Sequence, residues 1–132
     1  MNDAFTLRVS SRSDVEEARR RARAAALGIG FTPPDAEAVA LAASELAANL
    51  ARYAPGGRIS VERAVSESGI GVRLESLDDG PGIDDIARAM TDGFSTGGGL
   101  GVGLAGVRRL MDEFEIESSP AGTRITACKW RR

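Results

Sequence analysis

Histidine is missing altogether from these 132 residues, and cysteine and lysine each occur once, as Cys128 and Lys129. Without histidine there is no Ser-His-Asp or Cys-His nucleophile, no His-ligated zinc and no phospho-accepting histidine. A single thiol excludes an internal disulfide and a cysteine metal cluster, a usage that suits the cytoplasm. Lys129 lies far from any glycine-rich loop, so a G-x-x-x-x-G-K-[ST] phosphate loop cannot be built. Any acid–base chemistry must therefore come from carboxylates. No apolar run approaches the ~20 residues of a membrane span, and the first residues lack a signal-peptide layout. With a formal net charge of −2, the chain also lacks the bulk basicity that nucleic acid or an anionic membrane would attract.

What is present is ordinary for a globular chain: 42% hydrophobic and 27% charged residues. The length accommodates one core, and a single domain over residues 1–132 is expected. "FTLRVS" alternates Phe5, Leu7 and Val9 against Thr6, Arg8 and Ser10, the pattern of a half-buried strand. A helix rich in Ala and Arg is predicted from Ser13 to about Leu27, with Asp14, Glu16 and Glu17 near its start. Its "RRRAR" cluster reads as a solvated face offset by those acids. The strongest helical signal is "FTPPDAEAVALAASELAANLARYA", with Thr32 placed to cap it and Pro33 or Pro34 in the first turn. It stops at "APGG", residues 54–57.

"RISVERAV" and "GIGVRLESL" form two predicted strands joined by a turn at residues 66–69. A short helix is expected around residues 85–90. Another, from about Gly103, would bury Leu104, Val107, Met111 and Phe114 on one face. "EIES" and "GTRITACKW" supply two last strands. The order β-α-α-β-β-α-α-β-β, with hairpins in place of βαβ repeats, argues for an α+β sandwich with helices on one face of a largely antiparallel sheet.

Four local features carry possible chemistry. Glu45 and Asn49, four apart, share one face of the long helix. Such pairs commonly face solvent. Here Asn49 could offer an oxygen to Mg²⁺, which takes few protein ligands, and Glu45 could accept a proton one turn away. Second comes "DDGPG", in which a strand leads into Asp78-x-Gly80-x-Gly82. Asp-Gly is a common turn, yet a carboxylate beside bare backbone also suits a flat ring bearing an exocyclic amine.

The third is "GFSTGGGLGVGLAGV", residues 93–107. Its G-x-G-x-x-G match at Gly101, Gly103 and Gly106 lacks the preceding strand of a dinucleotide fold, so that likeness is accidental. The glycines run straight into an amphipathic helix. The segment Gly97, Gly98, Gly99, Leu100, Gly101, Val102 and Gly103 can instead wrap as a lid that brings backbone N–H groups to phosphates. The fourth feature is Gly122-Thr123, an ordinary turn whose weight comes from the other three.

In this order the four features resemble the nucleotide site of the GHKL superfamily of ATPases and kinases. Glu45-x-x-x-Asn49 matches its N box, and Asp78-x-Gly80-x-Gly82 its first glycine box. Gly99-x-Gly101-x-Gly103 matches the second, and Gly122-Thr123 the last. The resemblance covers nearly the whole chain. It implies the Bergerat two-layer α/β sandwich, a mixed, mostly antiparallel sheet of about five strands with helices on one face. It further implies ATP with Mg²⁺ as cofactors: Asp78 holding the adenine amine, Asn49 coordinating Mg²⁺, Glu45 as base and residues 93–103 as the ATP lid. Arg12 and Arg52 are the cations that could stand in for a phosphate-binding lysine, although surface arginine is the plainer reading of each.

Within the superfamily, "SELAANLARYA", "DDGPGI", "AMTDGFSTGGGLGVGLAGVRRLMDEFEIES" and "GTRI" resemble the RsbT-type switch kinases of bacterial partner switching, with anti-sigma factor kinases next. That resemblance implies γ-phosphoryl transfer to a Ser or Thr of a STAS-domain antagonist, followed by binding of a phosphatase regulator. Two alternatives stay open: an anti-sigma kinase that sequesters a sigma factor, and a nucleotide-binding interaction switch without kinase activity.

Overall fold

The computed structural model describes residues 4–67, 69–80 and 103–132. The chain runs through β1 (Phe5–Val9), α1 (Arg12–Gly28), α2 (Pro33–Tyr53), β2 (Gly57–Ser66) and β3 (Gly69–Asp78). It continues through α3 (Gly103–Leu110), β4 (Glu113–Ser119) and β5 (Gly122–Trp130). The short helix expected at 85–90 lies outside the described residues.

Local chemistry sets the helix starts. Ser11 caps α1, accepting the Asp14 N–H at 3.4 Å, while the Asp14 carboxylate accepts the backbone N–H groups of Ser10 and Ser11 at 2.9 and 3.1 Å. Those two N–H donors hold the Asp14 carboxyl below the usual aspartate range. Thr32 caps α2 by accepting the Asp35 N–H at 3.3 Å, with Pro33 at the first helical position. The arginine cluster of α1 does more than face solvent. Arg19 and Arg23 reach Glu37 of α2 at 2.9 and 3.1 Å, and Arg21 lies over the Phe5 ring. These contacts are exposed, so each adds little stability. Burial holds the helices together: Ala18, Ala22, Ala25 and Ala26 of α1 are covered, as are Ala36, Val39, Ala40, Ala43, Leu46 and Ala47 of α2. Small side chains on both partners let the two helices approach closely.

Five strands form one sheet in the order β1-β2-β3-β5-β4, and every described pairing is antiparallel. The α+β expectation of about five strands under helices holds, and the sheet is antiparallel at every described pairing where a mixed one was implied. β1 and β2 are antiparallel because α1 runs away from the Val9 end and α2 brings the chain back to it. The helices cover one face, where Val9, Ile59, Val61, Val72, Leu74, Ile125 and Ala127 are buried. On the other face Arg73 bridges Glu62 and Glu75, at 2.7 and 3.4 Å. No helix among the described residues is long and apolar enough to cross a membrane.

The helix expected to carry Leu104, Val107, Met111 and Phe114 is shorter than its apolar spacing suggested. It ends at Leu110; Met111 is buried just beyond it, and Phe114 already pairs with Ala127 in β4. The strand period of Phe114 and Ile116 overtakes the helical one because Asp112 is claimed by β5. Its N–H donates to Cys128 O at 2.8 Å, and its carboxylate accepts the Trp130 N–H at 2.7 Å and two Arg132 N–H groups at 2.7 and 3.1 Å.

Arg132 first, and then the Trp130 amide, hold the Asp112 carboxyl below the usual aspartate range. A depressed carboxylate contributes stability that is complete above its unfolded pKa of about 4. That contribution is lost as pH falls through the lower folded value. The urea midpoint should therefore drop between pH 5 and strong acid, and Asp112→Asn should shrink that drop while lowering the midpoint at pH 7. Unchanged acid sensitivity in the variant would remove Asp112 from this role.

Candidate functional site

Strand order and helix direction bring the sequence-predicted residues to one end of the sheet. Asp78 closes β3, and its register partner is Thr123, the second residue of β5. Asn49 lies in the last turns of α2, which ends beside that same edge. Leu50, the residue after Asn49, links the two: a Cβ on Gly57 would lie 2.6 Å from Leu50 Cδ2 and 3.1 Å from Asp78 Cβ. Only glycine at 57 lets α2, β2 and the Asp78 side chain meet so closely.

Asp78 is enclosed by glycines on other sides too. Its Oδ1 accepts the Gly80 N–H at 2.8 Å, folding the chain back over the carboxylate. A Cβ on Gly122 would fall 2.1 Å from Asp78 O, so the start of β5 presses directly on this backbone. Gly122 also has φ +148, a conformation that side chains disfavour. The carboxylate thus has one oxygen committed to Gly80, and among the described residues the other accepts no hydrogen bond.

Glu45 is half-buried, and its Oε1 accepts the Gly103 N–H at 3.0 Å. Gly103 sits at φ +67, which turns the chain into α3 and aims that amide at the carboxylate. The negative charge therefore stands at the start of α3, where the helix dipole favours it. One N–H leaves the carboxylate with unfilled acceptor sites. Gly103 was expected to offer its amide to phosphate; in this structure the amide is given to Glu45. Asn49 is half-buried, and its side chain has no hydrogen-bond partner among the described residues. No group of three or more His, Cys, Asp or Glu able to hold a metal occurs among the described residues. A cation here would rely on the Asn49 oxygen, water and the oxygens of a bound anion, a donor set that fits Mg²⁺.

Gly82, Gly97, Gly98, Gly99, Leu100, Gly101 and Val102 lie outside the described residues. Arg12 and Arg52 are both exposed. Cys128 is buried, and burial pushes its thiol up to about 11, so it is no nucleophile near neutrality. Sequence reasoning missed two residues. Gly57 was hidden in a stretch that reads as a turn, and only strand packing reveals its contact with Asp78. Ser118 left a signal: it continues the apolar period of Phe114 and Ile116, a polar residue on the covered face, and its Oγ lies 2.9 Å from Thr123 Oγ1.

The family model of the histidine kinase-like ATPase domain matches residues 9–129, and the chain belongs to that family. Within it, the chain is similar to the serine/threonine-protein kinase RsbT of Bacillus subtilis, at 44% identity over 133 aligned residues covering all of both chains. An anti-sigma F factor of Thermoanaerobacter pseudethanolicus is 37% identical over 67 residues, 48% of this chain and 47% of that protein. In three dimensions the RsbU and RsbW domains of a Mycobacterium tuberculosis protein align with a TM-score of 0.67 at 20% identity. That alignment covers 97% of this chain but only 32% of that one, a likeness of fold alone.

Proposed function

We propose that this chain is an ATP-dependent protein-serine/threonine kinase of a partner-switching module, acting in the cytoplasm as a single ATP-binding domain. It transfers the γ-phosphoryl group of ATP to a Ser or Thr hydroxyl on a STAS-domain antagonist and, once released, binds a phosphatase regulator. The observation that carries this reading is the full-length similarity to the RsbT kinase, together with the convergence of Glu45, Asn49, Asp78 and Thr123 on one end of the sheet.

Phosphoryl transfer asks a protein mainly for positioning and charge stabilisation. Asp78 accepts the exocyclic amine of adenine through the oxygen that Gly80 leaves open, while Gly80, bare of a side chain, lets the ring approach. Asn49 would hold Mg²⁺ through its amide oxygen. When bound, the ion neutralises the charge of the phosphate oxygens. The glycine-rich segment of residues 97–102, outside the described residues, would supply backbone N–H groups to the phosphates. Glu45 stands one helical turn from Asn49 and takes the proton of the attacking hydroxyl.

The anti-sigma reading is the second candidate, since an anti-sigma factor shares about half of the chain. The whole-length similarity to a switch kinase favours the first. Incubation with radiolabelled ATP, Mg²⁺ and a STAS-domain protein encoded beside this chain should label a Ser or Thr, and Asn49→Ala should lose at least about a hundredfold in rate. No labelling by the wild type, or equal labelling by the variant, would sink the kinase reading. Capture of a sigma factor, with no binding of a phosphatase regulator, would select the second.

A further inference from the structure

Side chains from two other elements hold α3 at its two ends. At its start, Glu45 of α2 accepts the Gly103 N–H at 3.0 Å. At its end, the Met111 N–H donates to Val107 O at 3.1 Å, and the Asp112 N–H turns away to Cys128 O. Leu110 O is therefore among the last carbonyls, which have no donor within the helix. It accepts Lys129 Nζ from β5 at 2.9 Å. Arg108 and Arg109, in the last turn itself, are exposed, whereas Lys129 is half-buried and is the chain's one lysine. A carboxylate at the start and an ammonium at the end are the two charges that the helix dipole favours.

Eight residues are too few for a helix to persist without support from its surroundings. Burial of Leu104, Ala105 and Val107 fixes the face that α3 turns to the core. Apolar contact is non-directional, however, and does not set a helix along its own axis. The two end bonds do. They lie roughly 12 Å apart, at 1.5 Å per residue, and a hydrogen-bonded helix carries a shift at one end to the other. Displacement of Leu110 therefore moves the Gly103 amide that orients the Glu45 carboxylate.

We propose that Lys129 is a positioning residue for phosphoryl transfer: by holding the C-terminal end of α3, it keeps the Gly103 N–H on Glu45 Oε1 and so fixes the direction in which that carboxylate takes a proton. The inference rests on the kinase reading above, with Glu45 as base, and adds a residue that acts on the base through a helix. β5 then serves the site twice, with Thr123 at one end beside Asp78 and Lys129 at the other behind α3.

Single-turnover transfer from Mg-ATP to the STAS-domain protein encoded beside this chain tests this, with calorimetry of Mg-ATP binding in parallel. Lys129→Met should slow transfer about 3- to 10-fold, the scale of one hydrogen bond, while ATP affinity changes less than about twofold. Lys129→Arg, which keeps a cationic donor, should recover most of the rate. In a Glu45→Gln background, Lys129→Met should cost nothing further, because the base it orients is gone. A loss from a weakened fold would instead recur in that background. A wild-type rate in Lys129→Met, or the same loss in both backgrounds, would overturn the assignment while leaving the kinase reading standing. No transfer by the wild-type chain would overturn both.

Discussion

Glu45→Gln should slow phosphoryl transfer by about 10²- to 10⁴-fold while nucleotide binding and the fold persist. The variant is informative because Glu45 has two duties that the substitution separates. Its Oε1 receives the Gly103 N–H at 3.0 Å, anchoring the start of α3 to α2. A glutamine amide oxygen can accept the same bond, so the anchor survives. A neutral amide cannot hold a proton, so the base is gone. The lower part of the range is the better expectation, because a loose phosphoryl-transfer transition state leans little on a base.

Glu45→Ala should do more harm, since it removes the anchor as well. Gly103 then keeps an unsatisfied N–H at a half-buried helix start, a loss of about 1–3 kcal/mol. Single-turnover transfer measured beside thermal melting separates the two roles. If Glu45→Gln transfers at the wild-type rate, Glu45 is an anchor for α3 and the base lies elsewhere.

Local signals carried much of this fold into view. Thr32 and Pro33 mark the start of α2, and the alternation of Phe5, Leu7 and Val9 marks β1, because caps and strand periodicity are written in neighbouring residues. Sheet order was not readable. The pairing of β1 with β2 across two helices, and the insertion of β5 between β3 and β4, are decided by contacts distant in sequence. Phe114 shows the limit well: its spacing from Leu104 and Val107 fits a helix as well as its spacing from Ile116 fits a strand, and the bonds of Asp112 to β5 decide. At the site, Glu45 and Asn49 were visible through helical spacing and Asp78 through its glycines. Gly57 matters through its neighbours on other elements, which no local pattern encodes, and the strand period of Ser118 gives its face but not its partner Thr123.

Asp78→Asn should weaken ATP binding by about 10²- to 10⁴-fold, the sum of a lost charged hydrogen bond and a newly unpaired donor. An asparagine is the same size as aspartate, so size cannot explain such a loss. Orientation can. The Gly80 N–H at 2.8 Å requires an acceptor at the Oδ1 position, which draws the asparagine oxygen there. Its NH₂ group is then forced toward the place where an adenine amine would donate, and two donors face each other. Turning the amide over relieves that clash only by setting NH₂ against the Gly80 N–H. Neither rotamer satisfies both neighbours, whereas the symmetric carboxylate satisfies both at once. Gly57 and Gly122 bring the neighbouring backbone so close to Asp78 that a Cβ on either would meet it, at 3.1 and 2.1 Å. The folded state should be nearly unaffected, as Gly80 keeps its bond with the amide oxygen inward. Calorimetry with Mg-ATP alongside thermal melting checks the pair of expectations. Unchanged affinity in Asp78→Asn would show that the carboxylate does not read the base.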